Sequence, residues 1–225
     1  MNEFKHIKLL FTVIFLLLIT MSCVSTRIVD KPIVFDNLRD SLTINYLKDR
    51  YLLKQDAPTI TPKMIVIHHT AIPTFEKSYA AFKEPLLPSS RSEIVGAGAL
   101  NVSSQFMVDR DGIIYRLMPE TKMARHVIGL NHCAIGIENV GGTDDTPLTD
   151  AQLKANIRLV RYLAAKYEIE YVIGHYQYTL FENTSLWLEV DDNYRTPKTD
   201  PDAEFLNSIL IQTQDLNFKP IPKAN

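Results

Sequence analysis

The stretch "MIVIHH", residues 64–69, is a short apolar run rich in β-branched residues that closes on two histidines. An uninterrupted apolar run of this length reads as a strand buried on both faces, and such strands belong to the middle of an α/β sheet. Two further runs have the same character: "CAIGIENV" (133–140), which ends at the Gly141-Gly142 pair, and "YVIGH" (171–175). Between them, "LTDAQLKANIRLVRYLAAKYE" (148–168) predicts a helix. Thr149 and Gln152 have capping-box spacing, and positions 153, 157, 160, 164 and 167 form one apolar stripe. "SSQFMVDRDGIIYRLM" (103–118) has Asp111-Gly112 between two β-prone runs and predicts a hairpin. Upstream, "FDNLRDSLTINYLKDRYLLK" (35–54) places apolar residues at 38, 42, 44, 47 and 51, an amphipathic helix closed off by Pro58 and Pro62. "DPDAEFLNSILIQT" (200–213) predicts a last helix. The expected fold is α/β, a single domain with a central mixed sheet of about five strands flanked by helices.

The first residues read as an export signal. "MNEFKHIK" is a short, net basic segment, and "LLFTVIFLLLITM" (9–21) is apolar but short for a membrane span. It runs into Ser22-Cys23, so residues 1–22 are expected to be a signal peptide and Cys23 a lipidated first residue of a bacterial lipoprotein. Thr20 stands where a leucine is usual, and the alternative is an ordinary signal peptide or an uncleaved anchor. Residues 23–35 show no periodicity and read as a lipidated tether, with the membrane as partner. The remaining chain is long enough for one sizeable core. Lys and Arg number 24 against 26 Asp and Glu, so no basic surplus exists to hold nucleic acid. Cys133 lies in an apolar run and reads as a small buried residue rather than a nucleophile.

Chemistry gathers at the ends of the predicted strands. His68 and His175 each close an apolar run, where open α/β sheets place their ligands. Neighbouring strand residues face opposite ways, so His68 and His69 cannot both aim at one site, and periodicity does not choose between them. Glu138 follows Gly136 on one face of its strand, which suits either a cleft carboxylate or a partner for a buried cation. "NYRTPKTDP" (193–201) has two prolines and no aliphatic residue. An extended backbone there turns Lys198 and Asp200 to the same side. Two histidines and one aspartate are a donor set suited to zinc, and three protein ligands leave a fourth position open. Lys198 cannot ligate while protonated, but it can meet a negative charge that develops in a reaction.

Taken together, "MIVIHHTA", "VSSQFMVDRDGIIYRLMPE", "ARHVIGLNHCAIGIENVGG", "LTDAQLKAN", "IGHY" and "KTDP" resemble, in order, the zinc-dependent N-acetylmuramoyl-L-alanine amidases. These share a fold with phage amidase-type lysozymes and animal peptidoglycan recognition proteins. The resemblance covers roughly residues 60–212 and implies a catalytic domain over 59–215, preceded by a helical extension over 36–58 and followed by a tail over 216–225. It implies Zn²⁺ held by His68, His175 and Asp200, Glu138 as the group that activates water, and Lys198 beside the scissile carbonyl. It places His126 and Asn131 beside the substrate cleft. Gln105 stands where members often have His, and Ser104 where phage and animal relatives have a catalytic Tyr, which leaves Glu138 as the candidate base. The implied reaction is hydrolysis of the amide between N-acetylmuramic acid and L-alanine in peptidoglycan or muropeptides. The competing reading is a non-catalytic peptidoglycan-binding lipoprotein. A different zinc peptidase lacks support, because no His-Glu-x-x-His pair is present. The expectation is a monomer, exported and anchored at the outer membrane facing the periplasm.

Overall fold

The computed structural model describes residues 26–223. The signal-peptide and Cys23 readings lie outside the described residues. Six strands form one sheet in the order β1-β4-β3-β5-β2-β6. β2 (Met64–His69) and β5 (Ala134–Asn139) lie parallel at its centre, with Ile67 opposite Ile137 and His68 opposite Glu138. β6 (Tyr171–Gly174) flanks β2, and β3 (Phe106–Val108) flanks β5, both parallel to their neighbours. β3 and β4 (Ile114–Arg116) form the expected hairpin, the one antiparallel pair of the sheet. Gly112 in its turn has φ +84°, and a Cβ there would lie 2.6 Å from the Ala151 carbonyl oxygen, so the turn needs glycine twice over.

The sheet has six strands rather than about five because part of the expected tether is a strand. β1 (Ile28–Asp30) pairs parallel with β4 at the sheet edge. The pairing continues as the N–H groups of Lys31 and Ile33 donate to the carbonyls of Arg116 and Leu117, each at 2.9 Å. Three residues are too few to show an alternation, which hid this strand in the sequence.

Two helices cover one face of the sheet. The helices run in chain order α1 (Asn37–Tyr51), α2 (Phe75–Lys83), α3 (Ser92–Val95), α4 (Asp150–Lys166) and α5 (Ala203–Gln212), and the last two form this layer. Leu159, Val160 and Leu163 of α4, with Leu206 and Ile209 of α5, pack on Ile65, Ile67, Ile135, Ile137 and Val172. The Thr149–Gln152 capping box is present. On the opposite face Met64, Val66, Ala134 and Ile173 meet Val127, Leu130, Tyr178 and Phe181. Burying each such large apolar side chain stabilises the fold by roughly 1.5–3 kcal/mol.

The buried stripes are rotated from those read in the sequence. On α1 the buried residues are Arg39, Thr43, Tyr46, Leu47 and Tyr51, while Leu38 is 44% exposed. Arg39 faces inward because its guanidinium donates to the carbonyls of Val34, Phe82 and Lys83. On α4 the buried face includes Gln152 and Asn156, one position before the 153 and 157 of the apolar stripe. Gln152 donates to the Val108 and Val140 carbonyls, and Asn156 to the Asn139 side chain, so polar residues sit where an apolar stripe is the usual rule.

Candidate active site

β2, β5 and β6 are parallel, so their carboxyl ends share one edge of the sheet, and the candidate residues converge there. His68 ends β2, and His175 follows β6 at the start of a 3-10 helix over His175–Phe181. Asp200 arrives from the proline-flanked segment. That segment is pinned by Tyr178, whose hydroxyl donates to the Thr196 carbonyl and accepts from the Thr196 N–H, both at 2.9 Å. The Tyr176 N–H donates to the Asp200 carbonyl at 3.0 Å. As a result Asp200 Oδ2 stands 3.2 Å from His68 Nδ1 and 3.1 Å from His175 Nδ1. One donor atom from each of the three residues lies within 4.8 Å of the others. His69 is not in this group. Its ring lies against Gly142, where a Cβ would come within 2.2 Å of it, and its Nδ1 is buried without a partner among the described residues.

Burial works to raise the Asp200 carboxyl, but the adjoining His175 and His68 rings outweigh it and hold it well below the usual carboxylate range. Burial and the neighbouring His68 push His175 down to about 4, so His175 is held neutral. Glu138 lies beside His68 across the β2–β5 pair, 8% exposed, with Oε2 buried and unpartnered among the described residues. Burial pushes its carboxyl up to about 7, against the opposing pull of His68, Arg91 and Lys198. Glu138 and Lys198 both line the same open groove, with Arg91, Ser103 and Tyr194 on its walls.

Two residues expected beside the substrate are mainly turned inward. His126 is 8% exposed and touches the groove, but its Nδ1 is 3.0 Å from His68 Nε2, and burial holds it well below the usual histidine range. Asn131 also lines the groove but is only 1% exposed. Its Oδ1 accepts from the N–H groups of His126 and Val127 at 2.8 Å each, and its Nδ2 donates to the Tyr51 hydroxyl at 2.9 Å. The space left by Gly136 is filled by the His126 ring, since a Cβ there would sit 2.9 Å from it. Gln105 is a fully buried brace, accepting from the Gly136 N–H at 2.7 Å and donating to the Lys122 carbonyl. Ser104 is equally buried and donates to the Phe106 carbonyl. Arg91, Tyr194 and the α1 tyrosines were not singled out in the sequence, because nothing in their local pattern marks them.

The residues fit a metal. Two imidazoles and one carboxylate bring their donor atoms within 4.8 Å of one another, the N,N,O set that zinc takes when one position stays open. The donor set, not the burial, makes the case, since buried ion pairs can look similar.

A family model described as N-acetylmuramoyl-L-alanine amidase matches residues 58–203, more than half of the chain. The endolysin of Escherichia phage T7 is 34% identical over 85 residues, covering 36% of this chain and 56% of the endolysin. The chain thus spans little more than half the length of that relative. A 1,6-anhydro-N-acetylmuramyl-L-alanine amidase AmpD of Enterobacter cloacae is 28% identical over 128 residues, covering 51% of this chain and 68% of that protein. Among solved structures, the N-acetylmuramoyl-L-alanine amidase LysC from Clostridium intestinale aligns over 86% of this chain and 99% of its own, at 22% identity and a TM-score of 0.49.

Proposed function

We propose, from the premise that the chain belongs to the N-acetylmuramoyl-L-alanine amidase family, that it hydrolyses the amide joining the lactyl group of N-acetylmuramic acid to L-alanine in peptidoglycan or muropeptides. The observation that carries this reading is the convergence of His68, His175 and Asp200 in one groove with a buried carboxyl, Glu138, and a lysine, Lys198. His68, His175 and Asp200 would hold a zinc ion. Zinc, when bound there, supplies a Lewis acid and lowers the pKa of water beside it towards neutrality.

The chain's own residues do the rest. Glu138 takes the proton of the attacking water and returns it to the leaving amine of L-alanine, a double duty suited to a carboxyl near 7. Lys198 meets the negative charge that grows on the carbonyl oxygen as the amide carbon becomes tetrahedral. The groove walls position the stem peptide. The placement we propose is that of an exported lipoprotein anchored through Cys23 at the outer membrane and facing the periplasm; its support is the sequence of residues 1–23.

The test is digestion of purified peptidoglycan and of soluble muropeptides. New free amino groups belonging to L-alanine are expected, abolished by a chelator and restored by zinc. Release of reducing sugars instead would mean a glycosidase. Tight binding with no release from either substrate would mean a recognition module.

A further inference from the structure

We propose that His126 is a positioning residue for the metal site, holding His68 in the tautomer that presents Nδ1 to the ion, and that the N-terminal helix supports it through Tyr51 and Asn131. This deepens the zinc reading above and rests on it for the identity of the ion.

The direction of the hydrogen bonds follows from what each atom is able to do. The Ala134 carbonyl only accepts, and it lies 3.3 Å from His126 Nε2, so that nitrogen carries the hydrogen. A neutral His126 then has a bare Nδ1, which accepts at 3.0 Å from His68 Nε2–H. A neutral His68 with hydrogen on Nε2 has a bare Nδ1. That lone pair points at Asp200 Oδ2, 3.2 Å away, which is also an acceptor. Two acceptors facing each other at this distance call for a cation between them. The outer bond thereby decides which nitrogen of His68 is free to ligate, as a carbonyl or carboxylate does behind many metal-bound histidines.

The structure holds His126 firmly for this task. Its ring crosses that of His68 edge to face, with centroids 5.1 Å apart and planes at 87°, and it fills the slot over Gly136. Its backbone N–H is held by Asn131 Oδ1, and Asn131 is in turn oriented by the Tyr51 hydroxyl. Tyr51 ends α1, a helix that lies outside the family-matched residues 58–203. The extension is therefore joined to the catalytic centre by a hydrogen-bonded series of four residues, Tyr51, Asn131, His126 and His68, which passes through the His126 backbone N–H.

The experiment compares zinc affinity, by competition with a chromogenic chelator, in full-length wild type, His126→Leu, His126→Asn and Tyr51→Phe. His126→Leu should bind zinc about 10–100-fold more weakly. His126→Asn, whose Oδ1 stands near the place of Nδ1, should recover most of that loss. Tyr51→Phe should show a smaller fall, and an unchanged affinity there would overturn the helix's part. Nitrogen-15 NMR of the metal-free wild type supplies a reading that needs neither zinc nor catalysis. The His68 hydrogen is expected on Nε2, and finding it on Nδ1 would overturn the proposal. Wild-type zinc affinity in His126→Leu with a raised KM would equally overturn it and make His126 a substrate contact. A wild type that binds no zinc would defeat the metal reading instead, and the tautomer measurement would still decide this one.

Discussion

A carboxyl that burial pushes up to about 7 is half ionised at neutral pH, so Glu138 is able both to accept a proton and to return one. Glu138→Gln should keep its zinc and lose turnover by about 10²–10⁴. The same shift has a consequence for stability in the metal-free protein. The folded state holds this proton more tightly than the unfolded chain, whose glutamate titrates at 4.5. The resulting stabilisation is full below 4.5 and is lost as pH rises through 7. Glu138→Gln, which cannot ionise, should therefore be the more stable protein at pH 8, by on the order of 3 kcal/mol, with the gap closing towards pH 4.5. Thermal unfolding of chelator-treated protein from pH 4 to 8 reads this directly, and parallel curves would mean that Glu138 has an ordinary pKa. Lys198 is tested by its effect on the transition state. Lys198→Met should lower kcat and kcat/KM together by about 10²–10³ with zinc content unchanged. A rise in KM alone would reduce the lysine to a substrate clamp. Metal analysis separates the paired histidines, since His68→Ala should lose zinc and His69→Ala should retain it.

At the level of elements, the strand ends were legible and their meeting point was not. "MIVIHH" and "CAIGIENV" announce buried strands by composition, and a histidine or glutamate closing such a run is conspicuous. Periodicity could not choose His68 over His69, because a central strand is apolar on both faces and its period carries no phase; the choice came from the resemblance. Convergence of His68 with His175 joins residues far apart in the chain and is a property of parallel strand order, which local patterns do not encode. The stripe on α1 misled for a physical reason: an arginine takes a core position when its Nε and Nη2 find three carbonyl acceptors, even with Nη1 left without a partner among the described residues, and Thr43 takes one by donating to the Arg39 carbonyl. Arg39 is thus the staple of that helix. Arg39→Met would leave the Val34, Phe82 and Lys83 carbonyls without this donor and should cost about 1–3 kcal/mol, measured by urea unfolding. An unchanged midpoint would show that water replaces the guanidinium freely.

For the molecule as a whole, the sheet edge decides how the domain ends and where it begins. β1 covers β4, which would otherwise present unpaired backbone groups. Deleting residues 26–34 should lower Tm and promote self-association visible in light scattering, whereas a monodisperse, equally stable product would show that the edge needs no cover. The same strand bears on reach. An anchor at Cys23 followed by a free segment to residue 35 would give the domain a leash of roughly 40 Å. With β1 locked to the sheet from Ile28, an anchor at Cys23 would stand five residues from the sheet edge, a reach of at most about 17 Å. A domain held that way would patrol a thin layer against the lipid surface, and wall strands beyond that layer would have to be brought to it.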